Sequence, residues 1–356
     1  MHLLTRLAMS GGIALGSAVA HGQFALYWSI TDIAPSSGFT SAHATGINAS
    51  GHICGYMQNG SSTRAFFYNG TVHLLGSGTG SVATGINDSD QIIGTSGAQV
   101  AYWLSPASNP STTSVPTPFD YGSQGLGINS SGAGAGSARP NATDGWIGGY
   151  TWSASGTTVS GSAVSFDSSH IWPDWLTGID DSSNTIGGYV TTIGDPEHGL
   201  VNNVDIDPDD AYDSSTLRAI KAGHWVGTAW GTHYSSINQA ALWKTSYKCL
   251  GAIVSGGLSD AYGMNVINGH NDVVGASEYQ ASNSRKHAFY MPAADLSTST
   301  MQDCNQLISP TNRGIYELLI ATGINVHEAI CGDDVTGGDM PVGHAFILNP
   351  PFVDLP

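Results

Sequence analysis

The sequence predicts an all-β chain folded as a ring of seven four-stranded antiparallel blades, a seven-bladed β-propeller closed by its N-terminal segment. Three observations predict it: a short phrase recurs seven times, each copy reads as a β-hairpin followed by an apolar triplet, and the N-terminus carries outer strands with no hairpin before them. The phrase is plainest as ATGINASGHICG at 44–55, ATGINDSDQIIG at 83–94 and ATGINVHEAICG at 321–332. Weaker copies are GLGINSSGAGAG at 125–136, LTGIDDSSNTIG at 176–187, AIKAGHWVG at 219–227 and VINGHNDVVG at 266–275. A period of roughly 40 to 50 residues marks an array of supersecondary units, none of which buries its apolar face alone.

Residues 1–22 carry one early Arg6, a stretch of small and aliphatic residues, and an A-x-A site at Ala18, Val19 and Ala20. This is the pattern of a secretory signal peptide. The product is expected to be exported, extracellular or periplasmic, with residues 23–356 forming a single propeller domain. No later apolar run approaches the ~18 residues that span a bilayer, so no transmembrane segment is expected.

Composition agrees with an extracellular all-β protein: 47 glycines, 10% charged residues and 40% hydrophobic residues. A net charge of −17 argues against nucleic acid and anionic membranes as partners. A monomer is expected. Of the four cysteines, Cys54 and Cys331 occupy the same place in two copies of the phrase. Equivalent positions in separate blades should lie beyond the ~7 Å reach of a disulfide. Cys249 and Cys304 fall in outer segments, where either a bridge or free thiols would fit.

Within each copy an extended segment ends in I-N, turns, and resumes as an alternating stretch ending in Gly. The Asn at 48, 87, 129, 268 and 325 can bond the backbone two residues on and tolerates a left-handed conformation, so it shapes the turn. The third strand is an apolar triplet, as in Ala65-Phe66-Phe67, Ala101-Tyr102-Trp103, Tyr150-Thr151-Trp152, Ala241-Leu242-Trp243, His287-Ala288-Phe289 and His344-Ala345-Phe346. A fourth strand follows, as in YNGTVHLL at 68–75 and WSASGTTVS at 152–160. Four strands repeated seven times is a propeller pattern. FALYWSITDI at 24–33 has no hairpin before it, so it is expected to lend an outer strand to the last blade, near HAFILNPPFVDL at 344–355, and hide an open sheet edge.

The alternation of GIN, I-x-G and HAF resembles the bacterial extracellular HAF-repeat family. It is closest over 305–348, in NQLISPTNRGIYELLIATGINVHEAICG and HAFIL, with weaker matches through most of the chain. The third to fifth copies depart from the pattern. The resemblance implies export and a repeat fold, and brings no catalytic motif with it.

The first hairpin turn and the third-to-fourth turn read as short, which gathers the long loops on the opposite face of the ring. Function sits most often on such loops. The largest departure from the repeat, DSSHIWPDW, brings His170, Trp172, Asp174 and Trp175 together, and other loops add Trp146, Trp230, His233, Tyr234, Glu278, Tyr279 and Tyr316. Aromatic platforms mixed with carboxylates suit a sugar, so the leading expectation is a glycan or other extracellular ligand bound through Trp172, Trp175, Trp230 and Tyr234, with Glu278, Arg285 and Arg313 contributing. The alternative for these rings is that they plug the channel or pack under loops.

A carbohydrate-active enzyme is the second expectation. A polysaccharide lyase would use His170 or His233 with Tyr234 as base and acid, and Arg139, Arg285 or Arg313 to neutralise a uronate. A glycoside hydrolase would use Asp174 with Glu197 or Glu278, and Asp333 is a further carboxylate candidate. A structural or adhesive surface protein is the third. NNVDIDPDDAYD at 202–213 offers Asp205, Asp207 and Asp209 as oxygen ligands for Ca2+, although it lacks the Gly and Glu of an EF-hand loop. No cofactor is otherwise required, and neither a zinc motif nor a G-x-S-x-G elbow occurs.

Overall fold

The computed structural model describes residues 26–76, 80–104, 111–112, 122–138, 148–155, 158–164, 175–189, 197–207, 213–231, 234–244, 246–280, 285–336 and 342–351. They form seven four-stranded antiparallel sheets. A lone strand, β1 (Ser29–Ile33), comes first. The first blade is β2 (Ser41–Ile47), β3 (Ile53–Asn59), β4 (Ser62–Tyr68) and β5 (Val72–Leu74). The second is β6 (Ser81–Ile86), β7 (Ile92–Ser96), β8 (Gln99–Trp103) and β9 (Ser111–Thr112). The third is β10 (Ser123–Ile128), β11 (Gly134–Ala138), β12 (Gly148–Ser155) and β13 (Thr158–Ala163). The fourth is β14 (Trp175–Ile179), β15 (Thr185–Tyr189), β16 (His198–Val201) and β17 (Val204–Asp205). The fifth is β18 (Ser214–Lys221), β19 (His224–Trp230), β20 (Gln239–Trp243) and β21 (Tyr247–Gly251). The sixth is β22 (Ser259–Ile267), β23 (His270–Glu278), β24 (Lys286–Met291) and β25 (Gln302–Asp303). Two short helices, α1 (Cys304–Leu307) and α2 (Pro310–Arg313), lead to β26 (Tyr316–Ile324), β27 (Ile330–Thr336) and β28 (Val342–Asn349). None of the described helices is long and apolar enough to cross a membrane.

The seventh blade takes its fourth strand from the N-terminus, as expected. β1 pairs antiparallel with β28, from Ser29 opposite Asn349 to Ile33 opposite Ala345. Trp28 adds a backbone bond to the Leu307 carbonyl at 3.0 Å.

The core lies between the blades, not within them. Each of seven buried clusters belongs to one pair of neighbouring blades, for example Cys54, Phe67, Ala83 and Trp103 between the first and second. The smallest joins the third and fourth blades, where Ala135, Leu176 and Ile179 are the buried members. That is where the phrase decays to Gly and Ala.

Each letter of the plainest phrase has a structural job. In every blade the pairing of the first two strands slips at an equivalent place, leaving a bulged residue: Thr45, Thr84, Leu126, Thr177, Arg218, Tyr262 and Thr322; the seventh blade slips a second time, at Leu319. A bulge bends the strand and re-aims its side chain. Four threonines use the bulge to reach a neighbour's carbonyl: Thr45 to Ala83 at 2.9 Å, Thr84 to Gly125 at 2.8 Å, Thr177 to Leu217 at 2.8 Å and Thr322 to Ala44 at 2.9 Å. The Gly of I-x-G is fixed by sterics, since a Cβ at Gly55, Gly94, Gly136, Gly187, Gly227, Gly275 or Gly332 would lie 1.8–2.0 Å from a first-strand carbonyl.

The Asn of GIN both builds the turn and clasps the next blade. The Asn87 side-chain oxygen accepts the N–H groups of Ser89 and Gln91, while its amide donates to the Asn129 carbonyl at 3.0 Å. Asn48, Asn129 and Asn325 repeat this pattern. Asn268 shapes its turn in the other expected way, inside a two-residue turn in the left-handed conformation at φ 53°. Asn265 takes the inter-blade role instead, donating to Ile324 at 3.3 Å.

Three further expectations need correction. Blades one and two have two-residue turns between their second and third strands, Gly60-Ser61 and Gly97-Ala98, so the long loops at that end belong to the later blades. The opposite end is not uniformly plain, since 104–110 and 292–301 are long third-to-fourth connections. The triplets of blades two, three and five start one residue out of step: the steric glycine faces Phe66, the second residue, in blade one but the first residue, Ala101, Tyr150 and Ala241, in these. Glycine sets the register, so aromatic residues occupy either face. All four cysteines are free.

Candidate functional site

Stacking the blades sets the phrase into tiers down a central channel. The seven bulged residues line a chamber of about 210 Å³. Below it, Ile47, Ile86, Ile128, Ile179, Ile220, Met264 and Ile324 form an apolar collar that also borders a second cavity of about 190 Å³. That lower cavity opens among the Asn and Asp residues of the hairpin turns. Above the bulges, register puts His43, Val82, Gln124, Trp175, Thr216 and Asp260 at equivalent positions.

The chamber wall changes character at two adjacent blades. Where four blades place a clasping threonine, the fifth and sixth place Arg218 and Tyr262, with the guanidinium carbon 4.9 Å from the ring centroid, a cation–π contact. Arg218 is the only charged residue among the described residues lining the chamber. Next to it, Glu197 bonds Thr216. Burial pushes the Glu197 carboxyl above the usual carboxylate range; the Thr216 bond and the Arg218 charge oppose the shift, and the Asp207 charge adds to it. Trp175 belongs to the same group: a Cβ on Gly188 would meet the Glu197 carboxyl at 2.8 Å and the Trp175 ring at 3.1 Å.

The other expected residues are distributed as follows. Trp230 is 40% exposed at the end of β19. Glu278 accepts the Leu258 N–H at 3.0 Å. Arg285 pairs with Glu317 at 2.9 Å, in the open. Arg313 folds back on the chain, donating to Ile308, to the Gln306 side chain and to the Gln306 carbonyl. His170, Trp172, Asp174, His233, Arg139, Trp146 and Asp209 lie outside the described residues.

Tyr234, Asp205 and Asp207 come together in one network. The Tyr234 hydroxyl donates to Asp207 at 2.5 Å, and the other Asp207 oxygen accepts the Gly199 N–H and the Ser215 hydroxyl. Asp205 accepts the Tyr189 hydroxyl at 2.6 Å and the Asp207 N–H. The Tyr234 ring packs against Trp243 and Tyr247. His198 joins Asp205 and Asp207 in a group whose ligand-type atoms lie within 4.8 Å of one another.

His198 also explains the H of HAF. Third-strand histidines face fourth-strand aspartates in three blades: His198 and Asp205 at 3.4 Å, His287 and Asp303 at 2.8 Å, His344 and Asp32 at 2.7 Å.

Arg218 and Tyr262 escape a reading of the sequence because the recognisable copies at 219–227 and 266–275 begin two and five residues after the position equivalent to Ala44. Aligning TLRAIKAGHWVG and DAYGMNVINGH on the bulge places both at the threonine position.

No family model matches the chain, and no curated protein matches it. Among solved structures, a streptogramin B lyase is similar at 11% identity and a TM-score of 0.47, covering 91% of this chain and 98% of that one. The HAF-repeat resemblance therefore stands on the chain's own residues.

Proposed function

We propose that this chain is an exported propeller that binds a carboxylate-bearing glycan, such as a uronate oligosaccharide, in the upper chamber of its channel. The observation that carries this reading is the replacement of a clasping threonine by Arg218 and Tyr262 in adjacent blades. Those two positions give up an inter-blade hydrogen bond and add a cation and a ring to a wall otherwise made of Thr, Gly, Ala, Leu, Ile and Met. In a chain of net charge −17, an exposed guanidinium on the channel wall attracts anions locally and suits bidentate carboxylate binding. Trp175 supplies an apolar face for a sugar ring, and Glu197, favoured towards its neutral form by burial, can donate to a hydroxyl.

An enzyme reading uses the same residues, with Glu197 as acid and Arg218 neutralising the uronate during β-elimination or hydrolysis. Calorimetric titration with oligogalacturonate and a neutral oligosaccharide tests binding. Arg218→Met should weaken uronate binding by about tenfold or more, the scale of one charge-assisted bond. Equal binding by Arg218→Met, or by the neutral sugar, would overturn the reading. Absorbance of unsaturated uronate and reducing-end assays on the same samples separate lyase, hydrolase and binder.

A further inference from the structure

At the seam where the seventh blade meets the first, the Ser41 hydroxyl lies 3.0 Å from His43 Nε2, and His43 Nδ1 lies 2.9 Å from Asp333 Oδ2. The second Asp333 oxygen accepts the Ala44 N–H at 3.0 Å, which fixes the carboxylate's orientation. The Tyr56 ring stacks on the imidazole at 4.8 Å and 24°, which fixes the ring plane. An aspartate can only accept from Nδ1–H, so that tautomer leaves Nε2 to take the serine proton.

The scaffold does not account for Ser41. Elsewhere a first-strand serine clasps the preceding blade: Ser81 to Ala65 N–H, Ser123 to Val100, Ser215 to Gly199 and Ser259 to Ala240. In the first blade the equivalent position is Ala42, fully buried. Ser41 is one residue earlier, on the strand face shared with His43, and its hydroxyl meets only His43 among the described residues. Both side chains are partly exposed, and Gly343 leaves the space beside Ser41 without a side chain.

We propose that Ser41, His43 and Asp333 form a nucleophilic triad that acts on carboxylic esters. The Ser41 Oγ attacks the ester carbonyl carbon while Nε2 takes its proton. The bond to the leaving alcohol breaks, and the alcohol oxygen receives that proton. Water then attacks the acyl-serine, giving up a proton through Nε2 to Ser41 and releasing the carboxylic acid. Such constellations recur on unrelated folds and are recognised by geometry, not by a sequence elbow. Asp333 acts through His43 as a positioning residue.

The test is modification of the intact chain with an alkyl fluorophosphonate, located by peptide mass spectrometry, beside p-nitrophenyl acetate turnover. Wild type should be phosphonylated at Ser41 and lose turnover. Ser41→Ala should show neither, and His43→Gln should slow modification by about 100-fold or more, the scale of general-base assistance. Asp333→Asn should slow it too, and Asp333→Glu should recover part of the rate. Variants of Asp333 disturb the seam, so they are compared at matched folded fraction; Ser41→Ala breaks no seam bond. A folded wild type left unmodified at Ser41, or modified equally fast in His43→Gln, would show a polar clip with no nucleophile and overturn the proposal.

Discussion

The side-chain amide of Asn325 donates to the carbonyl of Asn48 at 2.9 Å, joining the last blade to the first by the bond that Asn48 makes to Asn87 at 3.1 Å. The ring therefore closes with the same contact that holds its interior. Asp180 breaks the chain of amides in the fourth blade, where its second oxygen accepts the Gly223 N–H at 3.0 Å instead.

Asn87→Ala should cost about 2–3 kcal/mol in chemical denaturation, because it removes the oxygen that accepts two turn N–H groups and a buried donor. Asn87→Asp keeps the accepting oxygen and loses the amide's donations to the Asn129 carbonyl and to Gln91 Oε1, so it should cost less. Equal losses for the two variants would mean that the inter-blade bond, not the turn, dominates.

A chain beginning at residue 34 loses β1 and exposes the edge of β28. It also loses Ile33, 2% exposed, and the contact of Trp28 with Tyr290 at 5.5 Å. Melting should fall by roughly 10 °C or more, since each kcal/mol lowers Tm by about 2–4 °C in domains of this order of size. Unchanged melting would remove the closure strand from the account of stability.

Asp334 is 1% exposed, and burial, then the charge of Asp32, push its carboxyl up to about 8, against the His344 backbone N–H. Between the unfolded value near ~3.9 and that folded value, the native state holds a proton that the unfolded chain releases. This group's contribution to stability therefore falls as pH rises through that window, by up to about 1.4 kcal/mol per unit. Asp334→Asn should be more stable than wild type at pH 7, with the gap shrinking towards pH 4. Parallel stability–pH curves for the two proteins would refute this.

Calcium at Asp205, Asp207 and Asp209 is the expectation from sequence, and His198 adds a nitrogen beside the first two. Millimolar Ca2+ should raise the melting temperature of wild type and leave Asp205→Asn unchanged. Zn2+ is run beside it because an imidazole ligand favours zinc. Saturation a hundredfold above Kd would add about 2.7 kcal/mol, and superimposable melts with either ion would exclude a site.

The propeller was legible because its rules are local. Asn in GIN satisfies N–H groups two and four residues on, and the I-x-G glycine answers to a carbonyl on the neighbouring strand of the same hairpin. Such constraints recur in each unit and leave a periodic trace. The chamber was half legible: Trp175 and Glu197 were within reach of a loop-based reading, whereas Arg218 and Tyr262 are visible only once the bulge defines the alignment.

By itself, then, the sequence determined the number of blades, the hairpin in each and the strand that closes the ring. Tertiary structure alone decided which side chains share a space. Ser41 and His43 are two residues apart, but Asp333 lies 290 positions from His43, and only closure of the ring makes them neighbours. The inter-blade contacts follow from the same closure: a repeat encodes its own turn, but what its threonine or arginine meets is set by the blade beside it.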